Sequence, residues 1–226
     1  MENLLNNIFP EICIVCNKPA YGSLCYLCTA KCVKLKNGFC VVCEGLAVDG
    51  VTHANCASAN VPSKIFSCFE YAGVAAQCIK KSKYAQKEFA ALKTLTAVGA
   101  RWLKKVGWEY KGYVLVPVPV SAQRMRERGF NQSELISLVL AKELELKTNH
   151  GLLKRAKETG VQHALSKSER LKNMQGAFAC ADVSIAGRFL LIDDICTTGA
   201  TLIESAKALY GAGANEVACF TLCRKV

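Results

Sequence analysis

The stretch Leu191-Ile192-Asp193-Asp194-Ile195-Cys196-Thr197-Thr198-Gly199-Ala200-Thr201 joins an apolar run, Phe189 to Ile192, to an apolar-periodic segment over 201–211. The run has the length of a buried strand, and the periodic segment reads as a helix. Such a strand delivers two adjacent carboxylates to its carboxyl end, where they can accept hydrogen bonds from the vicinal hydroxyls of a sugar. The hydroxylated loop behind them opens a helix whose first N–H groups have no intrahelical partner and attract a phosphate. Gly199 lets backbone approach closely, and Thr197, Thr198 and Thr201 add hydroxyl donors. A plain helix-capping turn accounts for one Asp or one Thr. It does not account for two acids and three threonines around a glycine, so the stretch reads as a ligand site.

Upstream, Ile65 to Tyr71 reads as a strand, and helical periodicity runs through Phe89, Leu92, Leu95, Val98 and Leu103. Tyr113 to Val120 reads as a buried strand, 131–146 as a helix with Leu135, Ile136, Val139 and Leu140 inward, and Glu216 to Leu222 as the last strand. Strands alternating with helices predict an α/β fold, a parallel sheet with helices on both faces. In such sheets ligands sit beyond the carboxyl ends of the strands, which is where Asp193 and Asp194 fall.

The chain has 226 residues, 51% of them hydrophobic and 21% charged, enough for one full domain and a smaller module. Disorder would need fewer apolar residues, and an integral membrane segment would need about 18 consecutive ones, which never occur. Met1-Glu2-Asn3 opens no basic, then apolar, export signal, so the expected compartment is the cytoplasm, where thiols stay reduced. The net charge of +11 is uneven: residues 1–60 hold four basic and four acidic side chains, 61–113 ten and three, and 114–226 fifteen and eleven. A basic surplus outside the first segment suits phosphate-bearing ligands, or serves only to solvate the surface.

The 14 cysteines include a set of two-apart pairs: Cys13 and Cys16, Cys25 and Cys28, Cys40 and Cys43, and His53 with Cys56. Each pair has the spacing of a zinc knuckle, and two knuckles complete a tetrahedral site. The economical reading is two sequential structural zinc sites, each gap holding a short β-ribbon, with Cys32 as a spare. An interleaved arrangement, the first pair joining the third, satisfies the spacing too. In a segment with few large apolar side chains, metal supplies folding free energy that a small core cannot. The other cysteines, Cys68, Cys78, Cys180, Cys196, Cys219 and Cys223, are unpaired in sequence, and Cys68 and Cys219 read as core.

Leu191 to Thr201, LIDDICTTGAT, resembles the signature with which type I phosphoribosyltransferases bind phosphoribosyl pyrophosphate (PRPP). The order of zinc ribbon, VPVPVSAQRMRERGFNQ at 116–132, QHALSKSERLKNMQGAF at 162–178 and this loop is similar to that of the ComF family, over essentially 13–226. The resemblance implies a double zinc-ribbon domain over 1–60 and a phosphoribosyltransferase-like domain over 61–226. It implies that Asp193 and Asp194 hold the ribose hydroxyls as the catalytic pair, with Mg²⁺ bridging ribose and pyrophosphate oxygens. Thr197, Thr198, Gly199, Ala200 and Thr201 would cradle the 5′-phosphate. The loop after Pro119 would grip pyrophosphate or nucleic acid through Arg124, Arg126 and Arg128, joined by Lys83, Arg155 and Arg170. A mobile loop over Lys154 to Phe178 would close on the site, with Gln162, Ser168 and Asn173 as further contacts.

Two functional readings follow from the resemblance. In the first, the protein is a PRPP-binding competence protein of natural transformation that handles incoming single-stranded DNA in the cytoplasm, at the inner face of the membrane. Its partners would be PRPP, single-stranded DNA, and a competence helicase or other DNA-processing proteins; phosphoribosyl transfer would be an added activity. Phe130 and Tyr84 are candidate stacking residues. In the alternative, it is a phosphoribosyltransferase of nucleotide metabolism with a small-molecule acceptor. Hypoxanthine-guanine enzymes carry a carboxylate three residues after the second acid, and Thr197 stands there, which disfavours purine salvage of that type. His163 is the one histidine of the mobile segment and a candidate general base.

Overall fold

The computed structural model describes residues 11–83, 89–157, 167–181 and 184–226. Gln162, His163 and Tyr84 lie outside them, as do the side chains of Ser168 and Arg170.

Two small ribbons open the chain. Glu11–Ile12 (β1) pairs antiparallel with Pro19–Ala20 (β2), and Gly38–Phe39 (β3) with Leu46–Ala47 (β4). Each ribbon encloses a C-x-x-C turn instead of bridging the gap between pairs, which corrects the expected placement. Between the ribbons stands a short helix, Tyr26–Ala30 (α1), capped by the Cys25 sulfur, which accepts from the Cys28 N–H at 3.4 Å.

Four parallel strands form the main sheet: Ile65–Glu70 (β5), Tyr113–Pro117 (β6), Arg188–Cys196 (β9) and Glu216–Arg224 (β10), in the order β5-β10-β9-β6. Asp193 faces Thr221 and Cys196 faces Arg224 in the register, so the strands end at one shared edge. Alternation along β9 sends Leu190 and Ile192 to one face and Phe189 and Leu191 to the other. On the first face lie Gly73–Ser82 (α2), Phe89–Lys105 (α3) and Gln132–Leu144 (α5); on the second lies Ala200–Gly211 (α7). The expectation of a parallel sheet flanked by helices is met.

Several elements depart from the sequence reading, helix α2 among them, which was not expected. Residues Ala122–Arg128, expected as loop, form a helix (α4): Ser121 Oγ accepts from the Arg124 N–H at 3.2 Å at its start, and Gly129, at φ 75°, ends it. The strand expected to stop at Ile192 continues to Cys196, so both acids are held in sheet. The segment expected as a structureless loop contains a ribbon, Leu153–Arg155 (β7) against Phe178–Cys180 (β8), and a helix, Lys167–Met174 (α6).

The two cysteine clusters are built into the sheet's two cores. Cys13, Leu24, Cys28 and Cys32 pack with α3 and Phe69, whereas Val41 packs with Leu191, Cys196 and Ala200 on the opposite face. Side chains of the sheet region tie down both: Trp102 Nε1 donates to the Leu35 carbonyl at 3.3 Å and Trp108 Nε1 to that of Asp49 at 3.0 Å. Cys68 and Cys219 are fully buried, consistent with core roles. No helix among the described residues is long and apolar enough to cross a membrane.

Candidate functional site

At the carboxyl edge of the sheet lies a cavity of about 430 Å³. Asp193, Asp194, Thr197 and Thr201 form its floor, from the end of β9 and the start of α7. Arg124 and Arg128 enter from α4, Lys80 and Lys83 from the end of α2, and Arg155 from β7. The structure thus brings together, from five elements, most of the residues that the sequence singled out. Arg126 is exposed and does not line the cavity. Thr198 lies in the loop behind Thr197, and Gly199 and Ala200 are buried beneath it. Phe130 meets Phe89 edge to face, ring centroids 4.2 Å apart, so packing employs it. Asn173, on α6, is partly buried and does not line the cavity.

The acid pair is asymmetric. Asp194 is ion-paired with Lys83 at 2.9 Å. Asp193 Oδ1 instead accepts from Ser133 Oγ at 3.1 Å and from the Asp194 backbone N–H at 2.9 Å. Burial pushes the Asp193 carboxyl up, and the Asp194 charge pushes it the same way. These outweigh the two hydrogen bonds and Lys83, leaving it at about 7. Ser133 stands opposite Asp193 because Asn131 fixes the start of α5: its side chain accepts from the Ser133 N–H at 3.0 Å and donates to the Val118 carbonyl at 3.0 Å. Arg128 Nη1 donates to Gln132 Oε1 at 3.1 Å, while Gln132 Nε2, at the wall of the cavity, is buried with no partner among the described residues.

Ser133, Tyr71 and Lys225 line the cavity and escaped the sequence reading. Lys225 follows Arg224, the partner of Cys196 in the sheet register, so the end of β10 was the signal available for it. Arg224 itself is buried, its guanidinium 4.5 Å from the centroid of Phe39 and its Nη1 3.9 Å from Cys196 Sγ.

The cysteine clusters are sequential, not interleaved. The ligand atoms of Cys13, Cys16, Cys25 and Cys28 lie within 4.8 Å of one another, and so do those of Cys40, Cys43, His53 and Cys56. Two thiolates on one tetrahedral zinc ion stand about 3.8 Å apart, and Cys16 Sγ and Cys25 Sγ are separated by 3.8 Å. His53 presents Nδ1 to Cys43 Sγ at 3.3 Å, while its Nε2 lies 2.9 Å from the Leu46 carbonyl. That outer hydrogen bond fixes the tautomer that leaves Nδ1 free to ligate. Burial disfavours ionisation of Cys13 and Cys40, but backbone N–H groups facing the sulfurs outweigh it and bring the thiols down to about 6 and about 7. Both groups could hold zinc. Cys32 belongs to neither, and burial pushes its thiol up to about 11.

Comparison with known proteins agrees with this geometry. A family model described as phosphoribosyl transferase domain matches residues 140–226, which include the acid pair and the loop. Competence protein F of Haemophilus influenzae is 35% identical over 113 residues, 49% of each chain. The DNA utilization protein YhgH of Escherichia coli K12 is 37% identical over 111 residues, 49% of this chain and 48% of that one. The chain thus spans about half the length of these relatives. Competence protein ComFC of Streptococcus pneumoniae aligns further, 36% identical over 163 residues, 70% of this chain and 71% of that protein. With a match of that extent, and with the cysteine clusters and transferase-type loop in place, the chain belongs to the ComF family.

Proposed function

We propose that the cavity binds PRPP with Mg²⁺ and that the protein serves a competence-type pathway in which incoming single-stranded DNA is handled. The observation that carries the reading is the convergence of two carboxylates, a threonine-lined helix start and the Arg124 and Arg128 side chains on one cavity. Asp193 and Asp194 accept the ribose hydroxyls. The loop from Thr197 to Thr201 receives the 5′-phosphate, and its placement at the start of the 12-residue helix α7 supplies backbone N–H donors there. Arg124 and Arg128 take the pyrophosphate, for which planar bidentate donors are apt. When bound, Mg²⁺ would supply charge neutralisation for the pyrophosphate. Gln132 Nε2, unpartnered among the described residues, supplies a further donor at this wall.

Lys83 holds Asp194 through Oδ2, so the other carboxylate oxygen can accept a ribose hydroxyl with the ammonium beside the ligand. Residues 1–60 act as a zinc-ribbon module and 61–226 as the phosphoribosyltransferase-like unit. The relatives' names, competence protein and DNA utilization protein, support the DNA-handling role. The alternative, a transferase acting on a small acceptor, shares the same cavity. Incubating PRPP with bases, amines and single-stranded DNA and measuring pyrophosphate separates the two: binding without release supports the ligand role, and release with one small acceptor supports the transferase.

A further inference from the structure

Helices α1 and α3 wall a second cavity, of about 340 Å³, lined by Tyr26, Lys34, Arg101, Trp102 and Lys105, with Thr29, Ala30 and Val98 between them. Among the described residues it shares no lining residue with the first cavity, and no acidic side chain lines it. The sequence makes this so: residues 12–43 contain four lysines and no Asp or Glu, and 89–105 contain four basic residues and no acid. Each wall of the groove therefore comes from an acid-free stretch.

On α3, Val98, Trp102 and Lys105 follow helical spacing along one side, with Arg101 one turn before Lys105. Like charges at that spacing repel, and no acid of the helix offsets them. Lys105 complements the carboxyl end of the helix, but Arg101 lies a turn too early to gain as much. The aromatic groups are held differently. Trp102 is anchored through its Nε1 hydrogen bond to the Leu35 carbonyl, and the Lys34 ammonium lies 5.7 Å from its ring centroid. Tyr26 is 83% exposed on α1 and is absent from both hydrophobic cores.

A ligand matched to this groove carries closely spaced negative charge and exposed flat apolar faces. Single-stranded nucleic acid has both, whereas a duplex hides its base faces in the stack. We propose that this groove is a single-stranded nucleic-acid site, with backbone phosphates on Lys34, Arg101 and Lys105 and a base stacked on Tyr26 beside Trp102. The proposal rests on the DNA-handling part of the preceding reading and gives the strand an address outside the cleft. The first cysteine cluster sets one wall of the site, because Cys25 caps α1.

The test titrates the full chain into a fluorescently labelled oligothymidylate and follows anisotropy at several salt concentrations. Comparison proteins are Tyr26→Ala, the double variant Arg101→Glu with Lys105→Glu, and Arg124→Ala with Arg128→Ala. Tyr26→Ala should weaken binding roughly tenfold, as loss of one stacked base does. The charge-reversal variant should bind more weakly still and show a shallower dependence on salt. Both groove variants should keep wild-type zinc content and PRPP affinity, which excludes unfolding. Loss confined to the Arg124 and Arg128 variant would place the strand in the cleft and overturn the groove while sparing the DNA reading. Equal affinity for duplex, with Tyr26→Ala unchanged, would reduce the groove to a charged patch and overturn it as well. A wild-type protein that binds no oligothymidylate would overturn both.

Discussion

Val41, inside the knuckle of Cys40 and Cys43, occupies the space that a β-carbon on Gly199 would need. Gly199 has φ 71°, and a β-carbon built on it would overlap the Val41 carbonyl oxygen and lie 3.1 Å from Val41 Cγ2. The knuckle is therefore the bed on which the loop from Thr197 to Thr201 rests. Gly199→Ala should lose about 1–2 kcal/mol to the left-handed backbone alone and more to the overlap. Urea unfolding should show a lower midpoint, and PRPP affinity should fall by at least about tenfold, or about 1.4 kcal/mol.

The same contact predicts that the two cysteine clusters differ in their effect on the ligand. Cys43→Ser and Cys16→Ser should each cost one zinc ion by atomic absorption. Only Cys43→Ser, which loosens the turn holding Val41, should markedly weaken PRPP binding, because the first cluster packs on the other face of the sheet. Equal losses in the two variants would show that the zinc ions act through global stability alone.

The Asp193 carboxyl, held at about 7, sets a pH dependence. An unfolded aspartate ionises near about 3.9, so between there and about 7 the folded chain retains a proton that the unfolded chain has lost. Stability contributed by this group is present below the unfolded value and is lost as pH rises through about 7. Ligand binding runs the other way: ribose hydroxyls donate to the ionised form, so PRPP affinity should rise from pH 6 to 8 with release of a proton. Calorimetry in buffers of different ionisation enthalpy detects that proton, and Asp193→Asn should remove it.

Helix α4 separates arginines that look equivalent in sequence. Arg124 and Arg128 line the cavity one turn apart, while Arg126 points elsewhere. Alanine at Arg124 or Arg128 should each weaken PRPP by roughly 1.5–3 kcal/mol, the range for a hydrogen bond to a charged group, with ribose 5-phosphate affected far less. Arg126→Ala should bind PRPP as the wild type does.

How far the fold was legible depended on where the information lay. The β9–loop–α7 unit and both cysteine clusters were readable because each is written in contiguous residues with spacing set by chemistry. Helix α4 was hidden because its seven residues span barely two turns, too few for periodicity. Its boundaries are carried by Ser121 and Gly129, which are equally at home in a loop. Helix α2 was missed because, beside Val74 and Ile79, its buried face is made of Ala75, Ala76, Cys78 and Ser82, a weak hydrophobic signal. Ser133 and Lys225 reach the cavity through the junction of α4 with α5 and through the neighbour of β9 in the sheet, relations that exist only after folding. The packing of one cysteine cluster on each face likewise required the topology.

In the proposed site Asp193 and Asp194 hold a PRPP molecule at the end of β9. Isothermal titration of PRPP with Mg²⁺ into the wild type and into the double variant Asp193→Ala, Asp194→Ala, with zinc content and thermal unfolding as folding controls, tests it directly. Saturable binding to the wild type and none to the folded double variant is the predicted result; unchanged affinity in the double variant would contradict it.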